Sequence, residues 1–272
     1  MKTLYVSDLD GTLLRSDQKT SDYTNRVINE LVGKGMLFSY ATARSYNTSH
    51  KVTDGMTARF PLVVYNGAVV RDSLTGEIMI QNLFDRDLAV TLITELLDAG
   101  VSPIVYSFDG GREYFTYLTE EINEATRDFI LTRAGDDRDR PAYSRDKLLS
   151  GDIFYVACIG EEDKLQPFYD RYAGRCRCVY QKDIYSGEPW LELMPLNATK
   201  SAAIARLKEL LGCDRLVVFG DGVNDRDMFA MADEAYAVAN AVPELKAAAD
   251  GIIGSNDDDG VAKWLEEHFT EE

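Results

Sequence analysis

The sequence is poor in histidine and cysteine, which restricts the kinds of catalytic site that it can build. Only two histidines and four cysteines occur among 272 residues. The closest cysteines, Cys176 and Cys178, lack the spacing of zinc ligands, and neither histidine lies near them. These shortages argue against a zinc centre and against a Ser-His-Asp triad.

Positive charge and long apolar runs are also scarce. The 29 basic residues are outnumbered by 46 acidic ones, which leaves a net charge of −17 at pH 7. Because nucleic acids are held by basic surfaces, we expect no nucleic-acid partner. The chain has no apolar run of about 18 residues and no apolar leader before Asp8, so we expect no membrane span, no signal peptide and a cytoplasmic protein. No oligomeric state is predicted.

Acidic motifs follow two short apolar strands that lie far apart in the chain. Residues 8–12 (DLDGT) come after the apolar residues 4–6, and residues 220–225 (GDGVND) come after the apolar residues 216–219. In a parallel sheet the carboxyl ends of the strands meet at one edge, where ligands bind. A carboxylate cluster at that edge needs a counter-charge, and Mg²⁺ prefers oxygen ligands of this kind.

The arrangement of apolar segments predicts a two-domain α/β protein. Residues 1–82 and 191–272 alternate short buried strands with helices, which indicates a doubly wound, mainly parallel, Rossmann-like sheet. Residues 83–190 contain hairpin patterns and predict a separate α+β domain inserted into the first. Within this insertion, residues 133–147 are read as a charged loop.

The first motif supplies two candidate catalytic carboxylates. Asp8 and Asp10 are two residues apart, so an extended backbone would point both side chains the same way. Asp8 is the candidate nucleophile, forming an aspartyl-phosphate. Asp10 would protonate the leaving oxygen and then deprotonate the attacking water. Gly11 permits a turn that a side chain would hinder. A chance Asp-x-Asp pair is the alternative in so acidic a chain, and the second cluster favours the catalytic interpretation.

The second motif supplies candidate metal and phosphate ligands. Asp221 is the expected direct metal ligand. Asp225 would hold a metal-bound water or orient Lys200, and Asn224 would donate to phosphate or to another ligand. A helix-capping turn is the alternative, since Asp, Gly and Asn favour caps and turns.

Residues between the motifs offer further phosphate contacts. Thr42 ends a predicted strand and offers a hydroxyl and a backbone N–H, and Ala43 adds a second N–H. Lys200 opens a predicted helix, where its ammonium and the helix N-terminus both favour phosphate. The alternatives are a strand-terminal threonine without a role and an ordinary surface lysine.

Together, these motifs resemble those of the phosphatases of the haloacid dehalogenase superfamily. Residues 8–12 are similar to its first motif, Thr42 to its second, Lys200 to its third and residues 220–225 to its fourth. The insertion resembles the type IIB cap of the Cof-like sugar-phosphatase branch. The resemblance implies that this cap closes over the substrate and selects the leaving group. It also implies Mg²⁺ held by the Asp8 side chain, the Asp10 backbone carbonyl and Asp221, and phosphate held by Thr42, Lys200 and Asn224.

The sequence departs from the family pattern at two positions. Ala43 stands before Arg44 where the branch usually has glycine, and Ser201 follows Lys200 where glycine is frequent. Both residues add a side chain near the phosphate pocket, so we expect slightly altered geometry and retained chemistry. The role of Arg44 is left open.

The favoured function is a Mg²⁺-dependent phosphatase that acts on small phosphorylated metabolites, with sugar phosphates as the first expectation. A phosphomutase would use the same groups but return the phosphoryl group to a sugar. A non-catalytic regulatory protein that binds metal or metabolites is the third interpretation. Release of inorganic phosphate and formation of a phosphoryl enzyme distinguish the three.

Overall fold

The structure is a computed structural model that describes residues 1–182 and 187–271. Its strands are β1 (Thr3–Asp8), β2 (Leu37–Ala41), β3 (Pro61–Val64), β4 (Val69–Asp72), β5 (Ile78–Gln81), β6 (Pro103–Asp109), β7 (Arg112–Leu118), β8 (Asp139–Ala142), β9 (Asp152–Ile159), β10 (Arg177–Lys182), β11 (Pro189–Met194), β12 (Arg215–Gly220), β13 (Glu234–Val238) and β14 (Gly251–Ile253). Its helices are α1 (Asp22–Gly33), α2 (Tyr46–Val52), α3 (Arg86–Asp98), α4 (Glu124–Leu131), α5 (Arg145–Leu148), α6 (Glu162–Tyr172), α7 (Lys200–Leu211), α8 (Arg226–Met231), α9 (Pro243–Ala248) and α10 (Gly260–His268).

None of the helices in the described part of the chain is long and apolar enough to cross a membrane.

The chain divides into two compact units, of which the first combines Met1–Gln81 with Ala198–Glu272. Its eight-stranded sheet has the order β14-β13-β12-β1-β2-β3-β4-β5. The strands from β14 to β3 are parallel, and the β3–β4 and β4–β5 pairs are antiparallel. This arrangement confirms the predicted mainly parallel α/β fold.

Strand β1 occupies the centre of the first sheet, between β12 and β2. Leu4 and Val6 are completely buried, as expected for a strand that is covered on both faces. From β1 the chain continues to β2 on one side, whereas β12 continues to β13 on the other. The carboxyl ends of β1 and β12 therefore form a topological switch point, the usual place for a ligand in this fold.

Local sequence signals explain the helices that cover this sheet. The Ser21 hydroxyl accepts a hydrogen bond from the Thr24 N–H at 3.0 Å and caps α1. Thr199 caps α7 in the same way, through the Ala202 N–H at 2.9 Å. Gly212 ends α7 in the left-handed conformation.

The second unit comprises Asn82–Asn197 and has its own sheet, with the order β10-β11-β9-β6-β7-β8. The apolar sides of α3 and α6 pack on this sheet in one buried cluster. The expected domain boundary at residue 190 falls inside β11, which pairs with β9 and β10, so the unit continues to Asn197. Residues 183–186 of the expected inserted domain lie outside the described residues.

The expectation that residues 133–147 form only a charged loop is wrong. This segment contains β8, which runs parallel to β7, and the short helix α5. Ion pairs connect this segment to its surroundings: the Arg138 guanidinium lies 2.7 Å from the buried Glu113 Oε1 and 2.6 Å from Oδ2 of the half-buried Asp136. Charged residues therefore anchor this segment. The alternating apolar pattern by which a strand is predicted is absent from it.

Candidate active site

The sheet register places the motifs around the end of β1. Asp8 lies opposite Ala41 of β2, and its neighbour Ser7 lies opposite Phe219 of β12. Asp221, which follows β12, and Thr42, which follows β2, therefore flank Asp8 on opposite sides. The two acidic motifs thus meet at one edge of the sheet.

A buried lysine joins the two acidic motifs. Lys200 Nζ donates to Asp8 Oδ1 and, at 2.8 Å, to Asp225 Oδ1. Asp8 and Lys200 are each 4% exposed, and Asp225 is completely buried. Lys200 is the first residue of α7, which packs beside α8 in the same unit. The ammonium is therefore fixed against the candidate nucleophile from the start of a helix.

The buried charges shift the pKa values of Asp8 and Lys200. Burial raises the pKa of the Asp8 carboxyl well above its ordinary value, while the Lys200 ammonium opposes that shift. Burial alone would lower the pKa of Lys200, but the carboxylates of Asp8 and Asp225 outweigh it and raise that pKa. Lys200 therefore stays charged and favours the ionised form of Asp8.

Asp225 uses both of its oxygens inside the site. Oδ1 accepts from Lys200, and Oδ2 accepts from the backbone N–H groups of Asp221 (3.1 Å) and Gly222 (3.0 Å). Of the two roles expected for Asp225, this geometry corresponds to the orientation of Lys200. The same carboxylate also shapes the turn that carries Asp221.

Thr12 lies between the carboxylates of the two motifs. Its Oγ1 is 3.3 Å from Asp8 Oδ2 and 3.1 Å from Asp221 Oδ1. Thr12 is buried and Asp221 is half-buried. Burial, together with the Asp225 carboxylate, raises the pKa of Asp221.

The charges and donor atoms of this cluster fit a divalent cation. Oxygens of Asp8, Asp221 and Asp225 lie within 4.8 Å of one another. Three carboxylates and the one ammonium of Lys200 leave two negative charges, which a divalent ion would balance. Hard oxygen donors suit Mg²⁺. Because the completely buried Asp225 carboxylate already accepts three hydrogen bonds, Asp8 and the half-buried Asp221 are the better placed side-chain ligands.

Asp10 does not share the environment of Asp8. Strand β1 ends at Asp8, and residues 9–13 form a tight turn in which Gly11 has a φ of +78°. The alternation of a strand therefore does not extend to Asp10, contrary to the expectation from the sequence. The Asp10 side chain is 49% exposed, whereas Asp8 is buried.

Arg44 holds the Asp10 carboxylate on both oxygens. Arg44 Nε lies 3.0 Å from Asp10 Oδ1 and 2.9 Å from Oδ2, and Nη2 lies 2.6 Å from Oδ1. Such a bidentate pair fixes the plane of the carboxylate as well as its position. The structure thereby gives Arg44 a definite contact in the site.

The expected phosphate ligands differ in their availability. The Thr42 N–H donates to Val63 O at 2.9 Å, so the hydroxyl is the group of Thr42 that is left for the predicted phosphate contact. The Thr42 hydroxyl accepts from the Arg44 N–H at 3.1 Å and lies 3.5 Å from Asp10 Oδ2. Ala43 is exposed at the same turn, and Asn224 is exposed beside Gly222.

Sequence reasoning did not single out two residues that contact these loops. Thr12 had a signal, because it follows Gly11 within the first motif. The only sequence signal for Asn240 is its position just after β13. Its Nδ2 donates to Gly11 O at 2.7 Å. Contacts of this kind join residues that are more than 200 positions apart, and no local pattern reveals them.

Comparison with known proteins identifies the family. The family model described as haloacid dehalogenase-like hydrolase matches residues 5–265. A putative phosphatase of Buchnera aphidicola (subsp. Schizaphis graminum) is 28% identical over 99% of this chain and 96% of its own length. A 5-amino-6-(5-phospho-D-ribitylamino)uracil phosphatase of Bacillus subtilis is 26% identical, with 98% and 97% covered. An HMP-PP phosphatase of Serratia proteamaculans is also 26% identical, with 98% and 95% covered.

Solved structures share the same fold. A protein from Thermotoga maritima superposes with a TM-score of 0.81 at 24% identity, over 99% of this chain and 98% of the other. A haloacid dehalogenase-like hydrolase from Bacteroides thetaiotaomicron has a TM-score of 0.78 at 23% identity, over 99% and 100%. The chain therefore belongs to the haloacid dehalogenase-like hydrolase family and is a phosphatase of that family.

Proposed function

We propose that the protein is a Mg²⁺-dependent phosphatase of small phosphorylated metabolites, with sugar phosphates as the first class to test. The observation that carries the proposal is the buried contact between Asp8 and Lys200 beside Asp221, at the switch point of the sheet. Relatives that carry the names of phosphatases for phosphorylated small molecules support the substrate class.

Asp8 is the proposed nucleophile. Its carboxylate attacks phosphorus, the bond to the leaving oxygen breaks, and an aspartyl-phosphate forms. Lys200 stabilises negative charge on the transferring group, because its ammonium already lies against Asp8. The resident cation, held by Asp8, Asp221 and the Asp10 carbonyl, would supply further charge neutralisation.

Asp10 is the proposed acid and base. It gives a proton to the leaving oxygen and later takes one from the water that hydrolyses the aspartyl-phosphate. Arg44 contacts both oxygens of Asp10 and so fixes the position of that carboxylate in the site. The Thr42 hydroxyl, Ala43 and Asn224 are the proposed additional phosphate contacts. The second unit is the proposed cap that selects the leaving group.

Substitution of Asp8 tests this function. Phosphate release from 4-nitrophenyl phosphate and from a panel of sugar phosphates is measured with Mg²⁺, and after chelation and return of Mg²⁺. We expect Asp8→Asn to lower kcat by about 10³-fold or more, because the carboxamide cannot replace the nucleophile. Mass spectrometry of acid-quenched wild type should show a phosphoryl group on the peptide that contains Asp8.

Asp72→Asn is the matched control. Asp72 is a buried aspartate of the same unit that binds Arg59 and lies outside the site, so the folded variant should keep its activity. Equal turnover by Asp8→Asn and wild type would refute the proposal. Transfer of the phosphoryl group to a sugar without free phosphate would show a phosphomutase instead.

A further inference from the structure

The turn after β13 contacts both loops that carry the site carboxylates. Asn240 Nδ2 donates to Gly11 O at 2.7 Å, on the loop that contains Asp10. Two residues further on, the Val242 N–H donates to Asp221 O at 2.9 Å. Residues 239–242 therefore span the gap between the two acidic motifs on the first unit.

Asn240 is itself held from the other side. Its Oδ1 accepts from the Asn256 N–H at 3.0 Å, and Asn256 Nδ2 donates to Leu14 O at 3.0 Å. Leu14 in turn closes the first loop, because its N–H donates to Leu9 O at 2.9 Å. Two asparagine side chains thus bind the middle and the end of the turn that carries Asp10, at Gly11 and Leu14.

Gly11 needs such an external restraint. Glycine moves between backbone conformations more freely than any other residue, so the sequence of the turn does not fix its own shape. A Cβ at Gly11 would collide with the Asp221 carboxylate, which excludes a stiffer residue at this position. The bond from Asn240 fixes the Gly11 carbonyl without occupying the space next to Asp221.

We propose that Asn240 is a positioning residue, which sets the orientation of the Gly11–Thr12 peptide and so of the turn that carries Asp10, the acid that protonates the leaving oxygen. This inference rests on the proposed phosphatase function. Asn240 is exposed, and a neutral hydrogen bond at an exposed site adds little to stability. Loss of the Asn240 side chain should therefore lower the rate of catalysis more than the free energy of unfolding.

The dependence on the leaving group tests the role of Asn240. Full-length wild type and Asn240→Ala are compared with Mg²⁺ on 4-nitrophenyl phosphate, whose leaving group needs no proton, and on an alkyl sugar phosphate, whose leaving group needs one. For Asn240→Ala we expect kcat/KM to fall about 10–100-fold on the alkyl ester and less than about threefold on the aryl ester. The Mg²⁺ concentration that gives half-maximal activity should stay unchanged.

Two further variants separate positioning from general damage. Asn29→Ala is the matched control, because Asn29 also bridges backbone groups, those of Gly55 (2.8 Å) and Thr57 (2.8 Å), but outside the site. Asn29→Ala should lower kcat/KM on both esters by the same factor or leave both values unchanged. Asn240→Asp keeps the acceptor for the Asn256 N–H but loses the donor to Gly11, so it should show the same leaving-group selectivity as Asn240→Ala.

The experiment distinguishes failure of the positioning role of Asn240 from failure of the proposed phosphatase function. Equal losses on the two esters, or full activity of Asn240→Ala on the alkyl ester, would overturn the positioning role while the phosphatase stands. Absence of phosphate release from wild type on every ester would refute the phosphatase itself. Circular dichroism of each variant checks that the fold is retained.

Discussion

At the scale of single residues, Gly11 is a position of the site at which a side chain would displace its neighbour. Gly11 has a φ of +78°, and a Cβ built there would collide with the Asp221 carboxylate. A side chain at residue 11 would therefore strain the backbone and push away the expected metal ligand.

Gly11→Ala should impair activity far beyond its effect on folding. The left-handed backbone costs an alanine about 1–2 kcal/mol. Displacement of Asp221 should in addition weaken Mg²⁺ activation and lower kcat/KM about tenfold or more. Magnesium titrations of phosphate release and thermal unfolding measure the two effects separately.

Gly35→Ala is the matched control for that experiment. Gly35 has a φ of +97°, but a Cβ there would meet no atom within 4 Å. Gly35→Ala should lower the free energy of unfolding about as much as Gly11→Ala does, but keep full activity. Equal activity of the two variants would show that the collision with Asp221 is not important.

The residue scale also shows what the sequence could and could not predict about the site. Asp8, Asp221, Lys200 and Asp225 were found because each belongs to a motif that follows a strand or opens a helix. The pairing of Arg44 with Asp10 was not foreseen, since it depends on the turn after β1. The hydrogen bond from the Thr42 N–H to Val63 O was not predicted, because the pairing of β2 with β3 continues one residue beyond the end of β2.

At the scale of secondary-structure elements, one carboxylate ties the start of α10 to the start of α1. Asp259 Oδ1 accepts from Arg15 Nε (3.0 Å), from the Ser21 hydroxyl (2.7 Å) and from the Thr24 hydroxyl (3.1 Å). Burial alone would raise the pKa of Asp259, but these hydrogen bonds outweigh it and lower that pKa.

This arrangement predicts a stability difference that depends on pH. Because the folded state lowers the pKa of Asp259, its contribution is present above the unfolded value, about 4, and is lost as the pH falls through the folded value. Asp259→Asn should therefore cost about 1 kcal/mol of unfolding free energy at pH 7, after allowance for solvent screening. Below the folded pKa the difference from wild type should disappear.

Urea unfolding at a series of pH values measures this dependence. Asp257→Asn is the control, because Asp257 binds Ser16 from an exposed position and should contribute less. A difference between wild type and Asp259→Asn that stays constant with pH would contradict the assigned role.

Elements with an apolar period were predictable and polar ones were not. Helix α1 follows such a period, because Val27, Ile28 and Leu31 are buried along one side of it and Ser21 caps its start; Val32 is only half-buried. Strand β8 has no apolar alternation, and Arg138, which precedes it, forms ion pairs with Asp136 nearby and with Glu113 on β7. Sequence patterns report local periodicity, and long-range ion pairs leave no such pattern.

At the scale of the whole molecule, the second unit has the properties of an independent folding domain. It is one continuous segment with a six-stranded sheet and its own buried cluster. Its two ends lie together, since Asn82 Nδ2 is 3.4 Å from Asn197 O. A domain of this kind can be joined to a host chain without strain.

The isolated segment 82–197 should fold on its own. We expect a cooperative thermal transition by circular dichroism, because its apolar core is complete. Leu96→Ala, a change in the core, should cost about 2–5 kcal/mol. Leu131→Ala, at a side chain that is 63% exposed, should cost much less. A segment without a cooperative transition would show that it needs the first unit to fold.

The central place of β1 has a consequence for biosynthesis. Its neighbour β2 is translated soon after it, but its other neighbour, β12, begins only at Arg215. At ribosomal speeds of about 5–20 residues per second, β1 waits roughly 10–40 s for that partner. The intervening segment emerges complete during this delay. A nascent chain therefore carries Asp8 long before it carries Asp221, and catalytic competence arises only after β12 and the motif behind it have been synthesised.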